Sequence, residues 1–418
     1  MTPQPLRDVR LALAGCGVVG GGLVRLLHNA RDDIASRFGV RFSVEKVLVR
    51  HPDRDRHVPV DGALFTNDLG AFLRTDADIV VEAIGGEEPA LTIASAALAN
   101  GRKFVTANKE LIAAAGDKLS SLAHERETSI DFGAAVGASA PVISTLRDLL
   151  GASPPRSVRG ILNGTSNYVI SELERGVSLE LALAGARERG LAEADCSRDL
   201  DGRDAAAKLA IAAWIAFGIR PASLRIRRTG VLPLLPELVA TASALGGRLR
   251  LIAECAQLDG DRVVAAVEPV VLSAGSAFAR TVGEENRIEI DQGWSAPLSV
   301  SGPGAGGEPT ASALLSDLLR DSPPANSRGA LSKAFFPATD RREHRWLVLA
   351  RGNANIDVAL ADARIGIERC WCDTTSSGVV TTRTPWDSVD VAAKSLEAAG
   401  LVMGVARVEL PDSEVTIQ

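Results

Sequence analysis

Over the first third of the chain, short apolar runs alternate with stretches of helical period. The run VRLALAG at 9–15 is followed by GCGVVGGG and then by the helical pattern LVRLLHNA. Further strand-like runs stand at 43–49, 78–83, 103–106 and 129–132, separated by helical stretches such as EPALTIASAALANG. Strands that alternate with helices predict an α/β fold, a doubly wound parallel sheet over residues 1–135. From about Ala140 the pattern changes to longer helices, LELALAGARERG and DAAAKLAIAAWIAFG, with β-rich pieces at 262–272 and 286–300. We read 136–320 as a second, α+β domain. The Pro/Ser/Gly stretch DSPPANSRG opens a linker at 321–344. Beyond it, 345–418 reads strand (RWLVLAR), helix, strand, strand, helix, strand, a small βαββαβ unit. The chain shows no internal repeat and no low-complexity tract.

Composition narrows the possible partners. A chain of 418 residues is too long for one ordinary core. Its net charge of −6 leaves no electrostatic footprint for nucleic acid or an anionic membrane. No apolar run approaches the ~20 residues needed to cross a bilayer, and a short polar leader runs directly into the first strand, so a cytoplasmic protein acting on small molecules is expected. Cys16, Cys196, Cys255, Cys370 and Cys372 are scattered and read as free thiols; the spacing Cys370-x-Cys372 fits neither a redox nor a zinc pair. Lysine is scarce, seven residues against 39 arginines. A lysine retained in such a chain draws notice, because an amine can exchange a proton where a guanidinium cannot.

In Gly15-x-Gly17-x-x-Gly20 the first glycine makes a tight turn and the second lets backbone approach a pyrophosphate. The third lets helix pack on strand, and the phosphate meets the helix N-terminus. Placed after a strand and before a helix, this motif points to a Rossmann-type domain that binds a dinucleotide, with Val18 and Val19 also in the cofactor site. An acid at the end of the second strand would repel a 2′-phosphate. Here that strand ends in Arg50, with His51 and Arg54 after it and Asp53 the first acid, which favours NADP over NAD; the competing reading makes Arg50 a solvated strand end.

Five blocks, VVEAIGGEEPA at 80–90, VTANKELIA at 105–113, GILNGTSNY at 160–168, AEAD…DLDGRDAAAKLAI at 192–211 and GPGAGGEPTASA at 302–313, resemble homoserine dehydrogenases in order and approximate spacing. The similarity covers nearly the whole chain. Oxidising a carbinol needs a titratable group to take the hydroxyl proton as hydride leaves. Lys208 lies one helical turn after Asp204, on the same face, whereas Lys109 sits at the carboxyl end of the sheet, where ligands bind in open α/β folds. The residues alone leave the choice between the two lysines open. The resemblance implies that Lys208 is the catalytic lysine, that Asp204 binds substrate, and that Lys109 contacts substrate and nicotinamide. It also maps a ligand for the substrate ammonium onto Glu193, which follows the helix stop at Gly190. With Asp199, these acids suit a zwitterionic amino acid. The Asn163-Gly164-Thr165 turn is expected to add backbone and hydroxyl donors to the substrate. Thr106, Gly190, Gly304 and Gly306 are assigned to the cofactor site, the last two approaching it from the second domain. The family further implies a homodimer.

Two departures stand out. Family members carry a glutamate in a block like EAAVGGGIP that holds a monovalent cation. Here Gly133 replaces it, so only the backbone of Val136, Ala138 and Ala140 would remain, with Asp131 as a partial substitute; a weakened or absent site is expected. The C-terminal unit resembles an ACT module, but ARGNANIDVAL stands where an effector turn would be. Leu191 replaces an aromatic often found in the substrate pocket. Two alternatives follow: a dehydrogenase of another hydroxy-amino acid, or a non-catalytic ligand-sensing homologue.

Overall fold

The computed structural model describes residues 6–149, 154–192, 195–232, 234–320, 334–351, 356–372 and 376–411. The chain forms two compact units. One comprises Met1–Pro154, Ala210–Ala222 and Gly302–Ala334; the other comprises Pro155–Leu209, Ser223–Ser301 and Phe335–Gln418.

The first unit is built on strands β1 (Arg7–Ala14), β2 (Val40–Leu48), β3 (Phe65–Thr66), β4 (Ile79–Glu82), β5 (Lys103–Thr106) and β6 (Ile130–Asp131). All pairs are parallel and their order is β3-β2-β1-β4-β5-β6, the doubly wound arrangement whose ligands bind outside the carboxyl ends of the strands. The apolar runs of β1 and β4 are buried on both faces, which is why they read as continuous rather than alternating. Leu11, Leu13, Val47, Val81 and Val105 form the core with Leu23 and Val24 of the helix Val18–Asn29. Residues 302–320 return to this unit: Leu314 and Leu318 of the helix Gly307–Leu319 enter the same core.

The second unit contains β7 (Ser157–Ile161), β8 (Ile226–Arg228), β9 (Gly247–Gln257), β10 (Arg262–Ser273), β11 (Glu285–Asp291) and β12 (Leu298–Pro303). To these the C-terminal segment adds β13 (Phe336–Pro337), β14 (Glu343–Arg351), β15 (Ile367–Cys372), β16 (Ser376–Thr381), β17 (Thr384–Pro385) and β18 (Met403–Glu409). With the helices Ile356–Asp362 and Trp386–Ala398, the segment has the expected βαββαβ order, interrupted only by the short β17. The mixed sheet runs β12-β11-β7-β9-β10-β18-β14-β16-β15. The C-terminal strands therefore continue the larger sheet through the parallel pair β10–β18, with Val270–Leu272 beside Arg407–Glu409.

A buried ionic network spans that junction. Glu254 of β9 takes Arg342 and Arg407 at 2.8 Å each, and Arg407 also meets Glu268 of β10 at 3.0 Å and Glu409 at 2.8 Å. Burial alone would raise the Glu254 carboxyl, but the surrounding guanidinium groups hold it far below the usual range.

Candidate active site

The glycine turn is built as the sequence predicts. Gly15 has φ +95°, and a Cβ on Gly20 would lie 2.0 Å from the Gly15 carbonyl oxygen, so neither position admits a side chain. Gly17 caps the helix that begins at Val18, and nothing lies within 4 Å of where its Cβ would stand. Open space before a helix N-terminus suits a phosphate. Gly15, Gly17 and Val18 line a cavity of about 1300 Å³ that also takes in Arg50, His51 and Arg54. Arg56 fixes the loop around those cations by donating to the carbonyls of His51 at 2.7 Å and Arg54 at 2.6 Å. The residues present therefore fit a dinucleotide, with three basic side chains beside the second strand's end.

At the carboxyl end of β4, Glu82 is fully buried and was not singled out from the sequence. One carboxylate oxygen accepts from the Ile84 and Gly85 amides at 2.7 and 3.0 Å, and the other accepts the Thr106 hydroxyl at 2.6 Å. Thr106 in turn accepts from the Asn108 amide at 2.9 Å, and Asn108 caps the helix Lys109–Glu125 while its side chain donates to Gly86. Lys109 is thus the first residue of a helix whose start is tied to the loop lining the cofactor cavity. An acid ending an otherwise apolar strand was the available sequence signal.

Gly304 and Gly306 belong to this same unit. Gly306 has φ +120° and caps the helix Gly307–Leu319, and Gly307 sits so close to Val18 that a Cβ would meet its side chain at 2.5 Å. The GPGAGG segment thus lies against the glycine turn.

In the second unit, Lys208 reaches the Asp204 carboxylate at 2.8 Å and the Leu162 carbonyl at 2.9 Å, with its side chain 11% exposed. The i,i+4 pair read from the sequence is present. Asn163 ties it to a second acid: its side-chain amide donates to Asp199 at 2.7 Å and to Asp204 at 2.8 Å, while its oxygen caps the helix Gly164–Glu174 through Ser166. Gly164 is packed on Glu284, whose carbonyl a Cβ would meet at 2.8 Å. Thr165 spends its hydroxyl proton on the Leu191 carbonyl at 2.7 Å, which anchors the segment leading to residue 193. Gly190 has φ +70° and ends the helix Leu179–Glu188 as expected, with Leu191 donating back to Ala186. Glu193 lies outside the described residues.

Asp131 is buried and engaged by Lys103 at 3.1 Å and Arg147 at 2.9 Å, so its carboxylate already serves two cations rather than replacing the missing acid. A Cβ on Gly133 would lie 2.7 Å from Asp317, whose carboxylate accepts the Ala134 amide at 3.3 Å. Burial, aided by Asp131, pushes the Asp317 carboxyl up to about 6, against Arg147 and Arg320, which pull it down. Because the folded value is raised, Asp317 favours the fold at low pH and that contribution fades as pH rises through about 6. The rise from 3.8 to about 6 corresponds to on the order of 3 kcal/mol. Asp317→Asn is expected to melt above the parent at pH 8, with the advantage gone near pH 4; an equal gain at both pH values would refute the titration. Among the described residues, no group of three or more His, Cys, Asp or Glu could hold a metal ion, and no helix is long and apolar enough to cross a membrane.

The sheet order and the glycine turn facing an open cavity define a Rossmann-type dinucleotide-binding protein. The comparisons with known proteins agree. Residues 15–132 match the family model for the homoserine dehydrogenase NAD-binding domain, and 141–319 match that for homoserine dehydrogenase. The chain belongs to the homoserine dehydrogenase family. It is 38% identical to a homoserine dehydrogenase of Mycobacterium leprae over 319 residues, covering 75% of this chain and 72% of that protein. With the Bacillus subtilis enzyme it shares 31% over 316 residues, 75% of this chain and 73% of the other. A solved homoserine dehydrogenase from Thiobacillus denitrificans superposes with a TM-score of 0.84 at 30% identity, covering 97% of this chain and 99% of that one. The activity is that of an NAD(P)-dependent oxidoreductase.

Proposed function

We propose that this chain interconverts L-homoserine and L-aspartate 4-semialdehyde, with Lys208 as proton carrier, as part of threonine and methionine biosynthesis in the cytoplasm. The observation that carries this reading is the Lys208 ammonium held between Asp204 and the Leu162 carbonyl, in a cluster that Asn163 extends to Asp199. The nicotinamide, when bound, supplies or accepts the hydride. As a neutral amine, Lys208 takes the hydroxyl proton while the carbinol C–H bond breaks and C=O forms; as an ammonium it returns that proton in the reverse direction. Glu193 and Asp204 hold the substrate ammonium, Asp199 supports them through Asn163, and Gly164 and Thr165 shape the adjoining turn. Lys109 orients substrate and nicotinamide. Gly15, Gly17, Val18, Val19 and Gly20 receive the pyrophosphate; Thr106 orders the neighbouring loop, and Gly190, Gly304 and Gly306 complete the surround.

Arg50 with His51 and Arg54 favours NADP through attraction for a 2′-phosphate. The C-terminal βαββαβ segment is an ACT-like module that serves assembly; residues 352–355 of its altered turn lie outside the described residues, and the homodimer forms through the 136–320 domain. Purified protein should reduce NADP faster than NAD with L-homoserine. Arg50→Asp should cost about tenfold or more in kcat/KM for NADP, roughly one charged contact, and little for NAD. An unchanged NADP/NAD ratio would sink the Arg50 reading, and turnover of other hydroxy-amino acids alone would move the substrate assignment.

A further inference from the structure

Asn286 on β11 is fully buried, and neither atom of its side-chain amide has a hydrogen-bond partner among the described residues. An unsatisfied buried amide costs about 1–3 kcal/mol, and such groups are normally met by protein or by ordered water. The next residues on the same strand face, Ile288 and Ile290, are apolar, so the position does not need polarity for packing.

Its placement supplies a reason. The antiparallel ladder pairs Ile288 with Gly160 and Arg287 with Ile161; one step further sets Asn286 across from Leu162. The close approach of Gly164 to the Glu284 carbonyl follows the same register. Leu162 is the residue whose carbonyl accepts the Lys208 ammonium. Cross-strand partners share a face, so Ile288, Gly160, Ala253 and Val267 form one row. Gly202, just ahead of the helix that bears Asp204 and Lys208, packs onto Val267 of that row, where a Cβ would come within 2.9 Å. Asn286 therefore stands on the sheet face that meets the start of this helix, one strand from the carbonyl that anchors the lysine.

We propose that Asn286 is a positioning residue for Lys208: its amide holds an internal water at the Leu162 end of the site, which steadies the ammonium. Among the described residues, Lys208 is faced by Asp204 on its own helix and the Leu162 carbonyl, with Asn163 bridging Asp204 to Asp199. The inference rests on Lys208 being the proton carrier.

Asn286→Leu tests it, since an apolar side chain of similar size removes the buried amide at little or no cost in stability. Expected are an unchanged or higher Tm, a KM for L-homoserine close to the parent's, and kcat lower by roughly tenfold to a hundredfold. The limb of the kcat–pH profile that reports the lysine should move by about half a unit or more. Asn286→Ser, which keeps a polar group and room for water, should restore most of kcat; Asn286→Val, equally apolar but smaller, serves as the test variant with the same expected loss if the leucine form does not fold. A higher Tm with kcat and the pH profile unchanged would overturn the proposal, as would a fall in kcat that tracks lost stability with the limb unmoved. Failure of the Lys208 reading is distinguishable, because Lys208→Met would then retain turnover whatever Asn286 does.

Discussion

Exchanging Lys208 for methionine is expected to lower kcat by about 10²- to 10⁴-fold, the range removed with a positioned acid–base group, while cofactor affinity stays essentially unchanged. Methionine preserves the apolar stem that packs along the helix and deletes only the ammonium. The loss removes the ammonium 2.8 Å from the Asp204 carboxylate, which keeps its Asn163 donor, so a stability cost of about 1–3 kcal/mol should accompany it. Rates must therefore be compared per folded enzyme, and cofactor binding measured separately by fluorescence titration. Turnover near the parent's would reject Lys208 as the proton carrier and return attention to Lys109.

The second large effect is expected at Gly20. A methyl group there would sit 2.0 Å from the Gly15 carbonyl oxygen, and Gly15 cannot retreat because its own Cβ position is already 2.5 Å from the Ala83 carbonyl. The glycine turn is thus wedged between the end of β4 and the helix Val18–Asn29. Gly20→Ala should destabilise the protein by about 1–3 kcal/mol and weaken cofactor binding by roughly a hundredfold. Gly17→Ala is the contrast, since nothing lies within 4 Å of its Cβ: it should leave Tm alone and still impair binding by crowding the ligand. A Gly20→Ala protein that melts and binds like the parent would show that the turn is looser than its packing implies.

How much of this was legible in the sequence depends on the range of each interaction. The strand–glycine–helix opening could be read because its period and its glycines are local, and Lys208 with Asp204 could be read because one helical turn separates them. The bridge from Asn163 to Asp199 and Asp204 joins residues 36 and 41 positions apart and leaves no periodic trace. Asp317 reads as the polar side of an amphipathic helix, yet it is buried against the backbone at Gly133 and Ala134. The return of residues 302–320 to the first unit likewise depends on core contacts, such as those of Leu314 and Leu318, that no local pattern encodes. Glu82 was closest to discovery: an acid at the end of an apolar strand invites the question of what it accepts.

The C-terminal strands add a consequence of another kind. Because β18 lies beside β10 in one continuous sheet, and Arg407 neutralises Glu254 and Glu268 from that strand, the segment is part of the larger sheet's solvent exclusion and charge balance. Evolution could not shed it as a detachable accessory, for a truncated chain would leave two carboxylates deprived of a guanidinium and a bare strand edge open to self-association. The βαββαβ segment is in this sense structural tissue of the larger sheet and not separable from it.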